Sequence, residues 1–512
     1  MLGTGIIFTF SVGHRSLSFI NFINKYFTKK NAHILLAIAT ISFFSCNAGN
    51  RGKTASSAKD SVGSAGRAVS TPGYDTSLIK GKVTDSITCR KDGRQYYALY
   101  LPSNYNPADP YPCIFFFDAH ARGGMPVRAY KNIAEKYGCV LAASDNSKNG
   151  TPWPETNALA NTMMQDVRTR ININPRRVYT AGFSGGSRVA SSIAILDGGV
   201  AGVMGCAAGF PSLEKGLQDK FDYFGIVGDF DFNETEMAQL DAMLEQNGFA
   251  HQLLTTGNIH GWPAPADFET GLLWMQVNGM KEQLQPANDA VIAAFKKDFD
   301  TRIAAARASG EWIRAYDLLA GVIRALDGLA DVSLYKKQIA DLGGSANYRS
   351  AMAMQAKLQP EEMGQQQELR RQFEGMDEKW WGEKIALLNG SIKNAKTLQE
   401  SQMYRRLLNY LGLLGYMYSD HALRTSDLTN AETYLKIFKM ADPKNPDCSY
   451  LAAVYYMEKG NQPQAITALN EAAALGYSEV SKLMTDPAFG SMYNDPAFMD
   501  VVHKVADNYA SK

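Results

Sequence analysis

The sequence predicts a doubly wound, mostly parallel α/β sheet over residues 74–285, followed by an all-α region over 286–512. Three observations predict it. Short apolar runs alternate with helix-capable stretches up to about residue 283, the order of a parallel sheet with helical crossovers. Several of those runs are continuously apolar, as strands covered on both faces must be. Beyond Pro286 the strand-like runs stop and helical periodicity takes over. At 512 residues the chain is also too long for one compact core.

The strand-like runs lie at 95–101, 113–117, 139–143, 178–181, 203–207, 223–227 and 252–255, with helical stretches at 128–137, 159–171, 188–196 and 234–247. In the second half the helical patterns are 290–308, 311–330, 398–418 and 430–440. Two amphipathic helices, 448–459 and 464–475, flank Gly460-Asn461; a Pro-rich turn precedes them and an Ala-rich run closes them. That pair resembles a tetratricopeptide repeat, in which small residues allow close helix packing. Asp486-Pro487-Ala488-Phe489 and Asp495-Pro496-Ala497-Phe498 read as two capped helix starts.

The N-terminus is a targeting segment by composition. Lys25, Lys29 and Lys30 precede an apolar run, 34–44, that is too short to span a bilayer and ends at Ser45-Cys46. A cysteine after a small residue at that place resembles the bacterial lipoprotein signal, which implies that Cys46 is lipidated and that 1–46 is a signal peptide. Residues 47–73, rich in Ser, Ala, Gly and Lys, read as a flexible tether. The expectation is a protein exported and lipid-anchored at the cell envelope, with no other membrane contact. A net charge of +1 gives no global attraction to nucleic acid. Cys89, Cys113, Cys139, Cys206 and Cys448 are scattered and odd in number, so they read as buried thiols; no cysteine or histidine spacing marks a metal site.

Gly182-Phe183-Ser184-Gly185-Gly186 directly follows an apolar strand and precedes a helix-capable run. That context fits a nucleophile elbow, in which a strained turn exposes the serine and glycines admit neighbouring backbone. Ser184 is therefore the candidate nucleophile. A base and an acid should follow it in the chain. His251 opens a strand, whereas His260 sits in a loop just past one and is the candidate base. Asp229 and Asp231 both lie past the strand at 223–227, where a carboxylate faces the ligand crevice. Spacing favours Asp231 and leaves Asp229 as a turn or helix-cap carboxylate. Oxyanion donors are expected at the amide of Gly185 and, in the loop after 113–117, at the amide of Ala119 or a neighbour.

Tyr97-Ala98-Leu99-Tyr100-Leu101-Pro102, Gly123-Gly124, Asn174-Pro175-Arg176-Arg177 and His260-Gly261-Trp262-Pro263 together resemble the polyhydroxybutyrate-depolymerase and feruloyl-esterase branch of the α/β-hydrolases. The resemblance covers about 74–280. It implies cleavage of carboxylic esters, on acylated carbohydrate or a polyester-like polymer, by a Ser-His-Asp acyl-enzyme route without a cofactor. Asp118-Ala119 departs from the His-Gly that the branch usually carries in its oxyanion loop. Two other readings stand beside esterase: a vestigial hydrolase whose helical repeats bind a protein partner, and a serine peptidase.

Overall fold

The computed structural model describes residues 73–211 and 220–511. The expected signal peptide, Cys46 and nearly all of the tether lie outside the described residues.

Eight strands form one sheet: β1 Val83–Thr88, β2 Tyr96–Tyr100, β3 Tyr111–Phe117, β4 Val140–Ser144, β5 Ile173–Phe183, β6 Gly202–Cys206, β7 Asp222–Gly228 and β8 His251–Thr256. Their order is β1-β2-β4-β3-β5-β6-β7-β8. Only β2 runs against its neighbours, pairing antiparallel with β1 and β4. From β4 to β8 every pair is parallel. With helices on both faces, this is the α/β-hydrolase architecture.

Strand periodicity explains the two cores. Successive side chains of β3 point to opposite faces. Ile114 and Phe116 enter one cluster with Val127 and Tyr130 of α1 (Gly124–Tyr137) and Phe268 and Leu272 of α5 (Pro265–Lys281). Cys113, Phe115 and Phe117 enter another, with Met163 and Val167 of α2 (Trp153–Arg170), Val189 and Ile193 of α3 (Gly185–Leu196) and Leu240 of α4 (Glu234–Gln246). Strand β1 was not foreseen, and its sequence, Val-Thr-Asp-Ser-Ile-Thr, shows why. It is a half-exposed edge strand whose register shifts around Ser86, at φ 56°. Such an irregularity breaks the period-2 pattern that marks a strand.

Helices α6 (Asp289–Ala308), α7 (Trp312–Leu326) and α8 (Ser333–Gly343) extend the core of the sheet: Phe295, Phe299, Leu319 and Leu342 belong to the same cluster as Phe116 and Phe268. Helix α7 packs on edge strand β8, where a Cβ on Gly321 would collide with the Gln252 side chain. The remaining helices are α9 (Ala346–Gln372), α10 (Glu378–Asn394), α11 (Leu398–Arg424), α12 (Leu428–Ala441), α13 (Pro446–Glu458), α14 (Gln462–Ala474), α15 (Val480–Thr485) and α16 (Pro496–Ser511). They enclose a core of their own, with Trp381, Leu407, Phe438, Leu469 and Phe498 at its centre.

Asn461, at the turn read from sequence, caps α14 after Gly460, which turns at φ 69°. Asp486 and Asp495 each accept an amide two residues on, although the first opens a 3-10 turn rather than an α-helix. The five described cysteines are free and buried. Among the described residues no helix is long and apolar enough to cross a membrane.

The shared core predicts that a chain ending at Gln285 exposes to water the sides of α5 and β8 that α6 and α7 cover. Such a fragment should aggregate or lack a cooperative melt by near-ultraviolet circular dichroism, whereas the full chain melts cooperatively.

Candidate active site

Strand β5 ends at Phe183, and the chain turns sharply through Ser184 into α3. Ser184 stands at φ 54°, ψ −121°, a conformation that L side chains rarely adopt. The two glycines of the motif explain how the turn fits. A Cβ on Gly182 would strike the carbonyl of Gly186, and one on Gly186 would strike the carbonyl of Phe117 at the end of β3. The Ser184 amide donates to the Cys206 carbonyl at 2.9 Å, tying the elbow to β6.

His260 lies in the loop after β8, with Nε2 3.0 Å from Ser184 Oγ. Its Nδ1 lies 3.0 and 2.9 Å from the two carboxylate oxygens of Asp231. Asp231 is fully buried, and its Oδ1 also accepts the Asn233 amide at 2.8 Å. The imidazole is flanked by Phe183 and Phe232, with ring centroids 4.8 and 4.3 Å away. Ser184, His260 and Asp231 are thus joined in one hydrogen-bonded line with a single pattern of contacts. Which ring nitrogen carries the proton follows from it: Nδ1 donates to the carboxylate, leaving Nε2 to accept from the serine hydroxyl.

No protein-family model matches the chain, and no curated relative is similar to it. Among solved structures it is similar to an esterase from the archaeon Pyrobaculum calidifontis, with 13% identity over 41% of this chain and 85% of that one, at a TM-score of 0.32. An S-formylglutathione hydrolase from Staphylococcus aureus shows 11% identity over 38% of this chain and 99% of its own, at a TM-score of 0.32. An esterase from the planctomycete Thermogutta terrifontis shows 13% identity over 40% and 94% respectively, also at a TM-score of 0.32.

The other candidates are placed as follows. Gly185 opens α3 directly after Ser184, where unpaired amides and the helix dipole favour negative charge. Ala119 is buried in the loop after β3. Both meet Asn149, from the loop after β4. Its amide donates to the Ala119 carbonyl at 2.8 Å, and its carboxamide lies where a side chain on Gly185 would stand. Asn149 was not foreseen, because a lone loop asparagine carries no spacing signal. His251 is buried between Asp241 and Glu245, each at 2.7 Å, and takes no part. Asp229 sits in the turn after β7, and its carboxylate pairs with Arg314 of α7, a partner too distant in sequence to foresee.

The Asp118-Ala119 departure has a structural role. Asp118 is buried and accepts from Arg122 Nε at 2.9 Å, the His120 amide at 2.8 Å and Trp262 Nε1 at 2.7 Å. Burial alone would raise its pKa, but Arg122 and these donors outweigh that and hold it at about 2. Trp262 belongs to the His260 loop, so Asp118 ties that loop to the one carrying Ala119. His120 pairs with Glu479 at 3.1 Å. Burial opposes its protonation, yet the Glu479 carboxylate raises its pKa above the usual value.

Asp118→Ala leaves Arg122 buried without its main partner and is expected to cost about 3 kcal/mol in urea denaturation. Because the folded pKa is lowered, the carboxylate's contribution is present above about pH 4 and fades as pH falls through about 2. A pH-independent difference between wild type and Asp118→Ala would contradict the pairing.

Proposed function

We propose that the chain is a serine esterase that cleaves carboxylic esters through an acyl-enzyme on Ser184. The observation that carries the reading is the unbroken Ser184–His260–Asp231 line, with contacts of 3.0 and 2.9 Å. In the first half-reaction the Ser184 hydroxyl oxygen bonds to the ester carbonyl carbon while its proton passes to His260 Nε2. Asp231 orients the ring and stabilises the imidazolium. The amides of Gly185 and Ala119 receive the oxyanion. Collapse breaks the bond to the leaving alcohol, which takes the proton from His260. Water, activated by the same imidazole, then releases the acid and restores Ser184. None of these steps calls for a cofactor.

Acylated carbohydrate or a polyester-like polymer is the substrate class favoured by the sequence resemblance. A vestigial role is disfavoured, because a hydrogen-bonded nucleophile, acid and base in that chain order have no reason to persist in a scaffold. The same reading puts the enzyme at the bacterial cell envelope, held by a lipid on Cys46 through the tether at 47–73. Cys46→Ala should then shift the protein from the membrane pellet to the soluble fraction; unchanged partitioning would remove the anchor.

Fluorophosphonate labelling tests the chemistry. Wild type should label, and Ser184→Ala should not. Asp231→Asn should lower kcat on a p-nitrophenyl ester by on the order of 10^3–10^4-fold with its fold intact. Folded wild type that neither labels nor turns over any acyl ester would end the esterase reading.

A further inference from the structure

The acid loop, from Asp229 to Asn233, is held by the C-terminal helices rather than by the sheet alone. Three of its main-chain carbonyls accept from three side chains on two helices. Arg406 of α11 donates to the Asp229 carbonyl at 3.0 Å. Asn409, one turn further along, donates to the Phe230 carbonyl at 2.6 Å. Gln366 of α9 donates to the Phe232 carbonyl at 3.4 Å. Asp231 lies between these three points. Tyr410, beside Asn409, faces Phe232, whose ring lies tilted against His260.

The grip is itself built. Arg406 is buried, and Glu362 of α9 holds its guanidinium through two bonds of 2.7 and 2.6 Å. Glu362 and Gln366 stand four residues apart, as do Arg406 and Tyr410 with Asn409 between, so each helix turns one face to the loop. Arg406 also faces Glu234 at 3.7 Å, on the first turn of α4. A buried arginine fixed bidentately is a rigid donor, unlike a solvated side chain. The opposite side of the site is reached too: Glu479, just before α15, pairs with His120 and Arg122 of the loop that carries Ala119.

We infer that Arg406, Asn409 and Gln366 are positioning residues for the hydrolase site: the helical half fixes the Asp229–Asn233 loop so that Asp231 meets His260. The inference rests on the esterase reading. Carbonyls of a surface turn are ordinarily solvated by water, and a turn held only by water shifts readily. Here each is bonded to protein, and the triad carboxylate inherits that fixity. A displacement of about 1 Å in a catalytic group costs on the order of 100-fold in rate, so the effect belongs on kcat. The three side chains donate to main-chain carbonyls of the acid loop, so KM should change little.

The test uses the full chain and a p-nitrophenyl ester. Wild type beside Ser184→Ala establishes Ser184-dependent turnover. The double variant Gln366→Ala/Asn409→Ala, which changes two half-buried side chains and keeps Arg406, should lower kcat about tenfold or more while KM stays within about twofold. If the double variant fails to melt cooperatively, Gln366→Ala alone is read by the same criteria. A folded variant with wild-type kcat, or one whose loss falls on KM instead, overturns the inference, whatever its melting temperature. Wild type lacking Ser184-dependent turnover overturns the esterase reading, and the inference with it.

Discussion

The molecule depends on a close approach at the end of two parallel strands. Gly186 admits the Phe117 carbonyl where any side chain would collide, and Gly182 admits the carbonyl of Gly186. Only with both glycines can β5 turn into α3 within one residue, which leaves Ser184 at φ 54°. That strained residue must be over-determined by its surroundings. The bond from its amide to Cys206, the flanking strands β3 and β6 and the packing of α3 supply the constraint. The site therefore sits at the carboxyl ends of the central strands, where loops from β3, β4, β7 and β8 converge.

Convergence alone does not give geometry. Asp118 fastens the His260 loop to the loop after β3 through Trp262, and Asn149 bridges Ala119 and Gly185. The acid loop is closed from the other side by α7, α9 and α11. The helical half thus has two physical roles. Its first helices complete the hydrophobic core over the sheet, and its later ones supply the polar partners of the site loops. Stability and site geometry are linked in this arrangement, since loosening the helices frees the carbonyls of Asp229, Phe230 and Phe232 and the Asp229 carboxylate.

Much of this was legible in the sequence where a local rule applied. Short apolar runs marked seven of the strands, several of them continuous, as strands buried on both faces are. The glycines around Ser184, the loop position of His260 and the spacing of Asp231 after β7 named the residues that the structure joins. Long-range polar contacts were not legible. Arg314 lies 85 residues from Asp229, and Arg406 lies 177 from it, so no spacing links them. One signal was present and unread: Arg406 falls in the apolar stripe formed by Met403, Leu407 and Leu411 on α11. A charge in such a stripe requires a buried partner. Edge strand β1 escaped for the opposite reason, since its half-exposed, irregular sequence carries no periodic signal.

The most direct test of the account is acid-quench mass spectrometry of the full chain mixed with a p-nitrophenyl ester. The account predicts one acyl group, on the peptide containing Ser184, formed in a burst matching the release of p-nitrophenol and absent from Ser184→Ala. Steady turnover with no acylated Ser184 in wild type or in a slow-deacylating ester, or acylation at another residue, would contradict it.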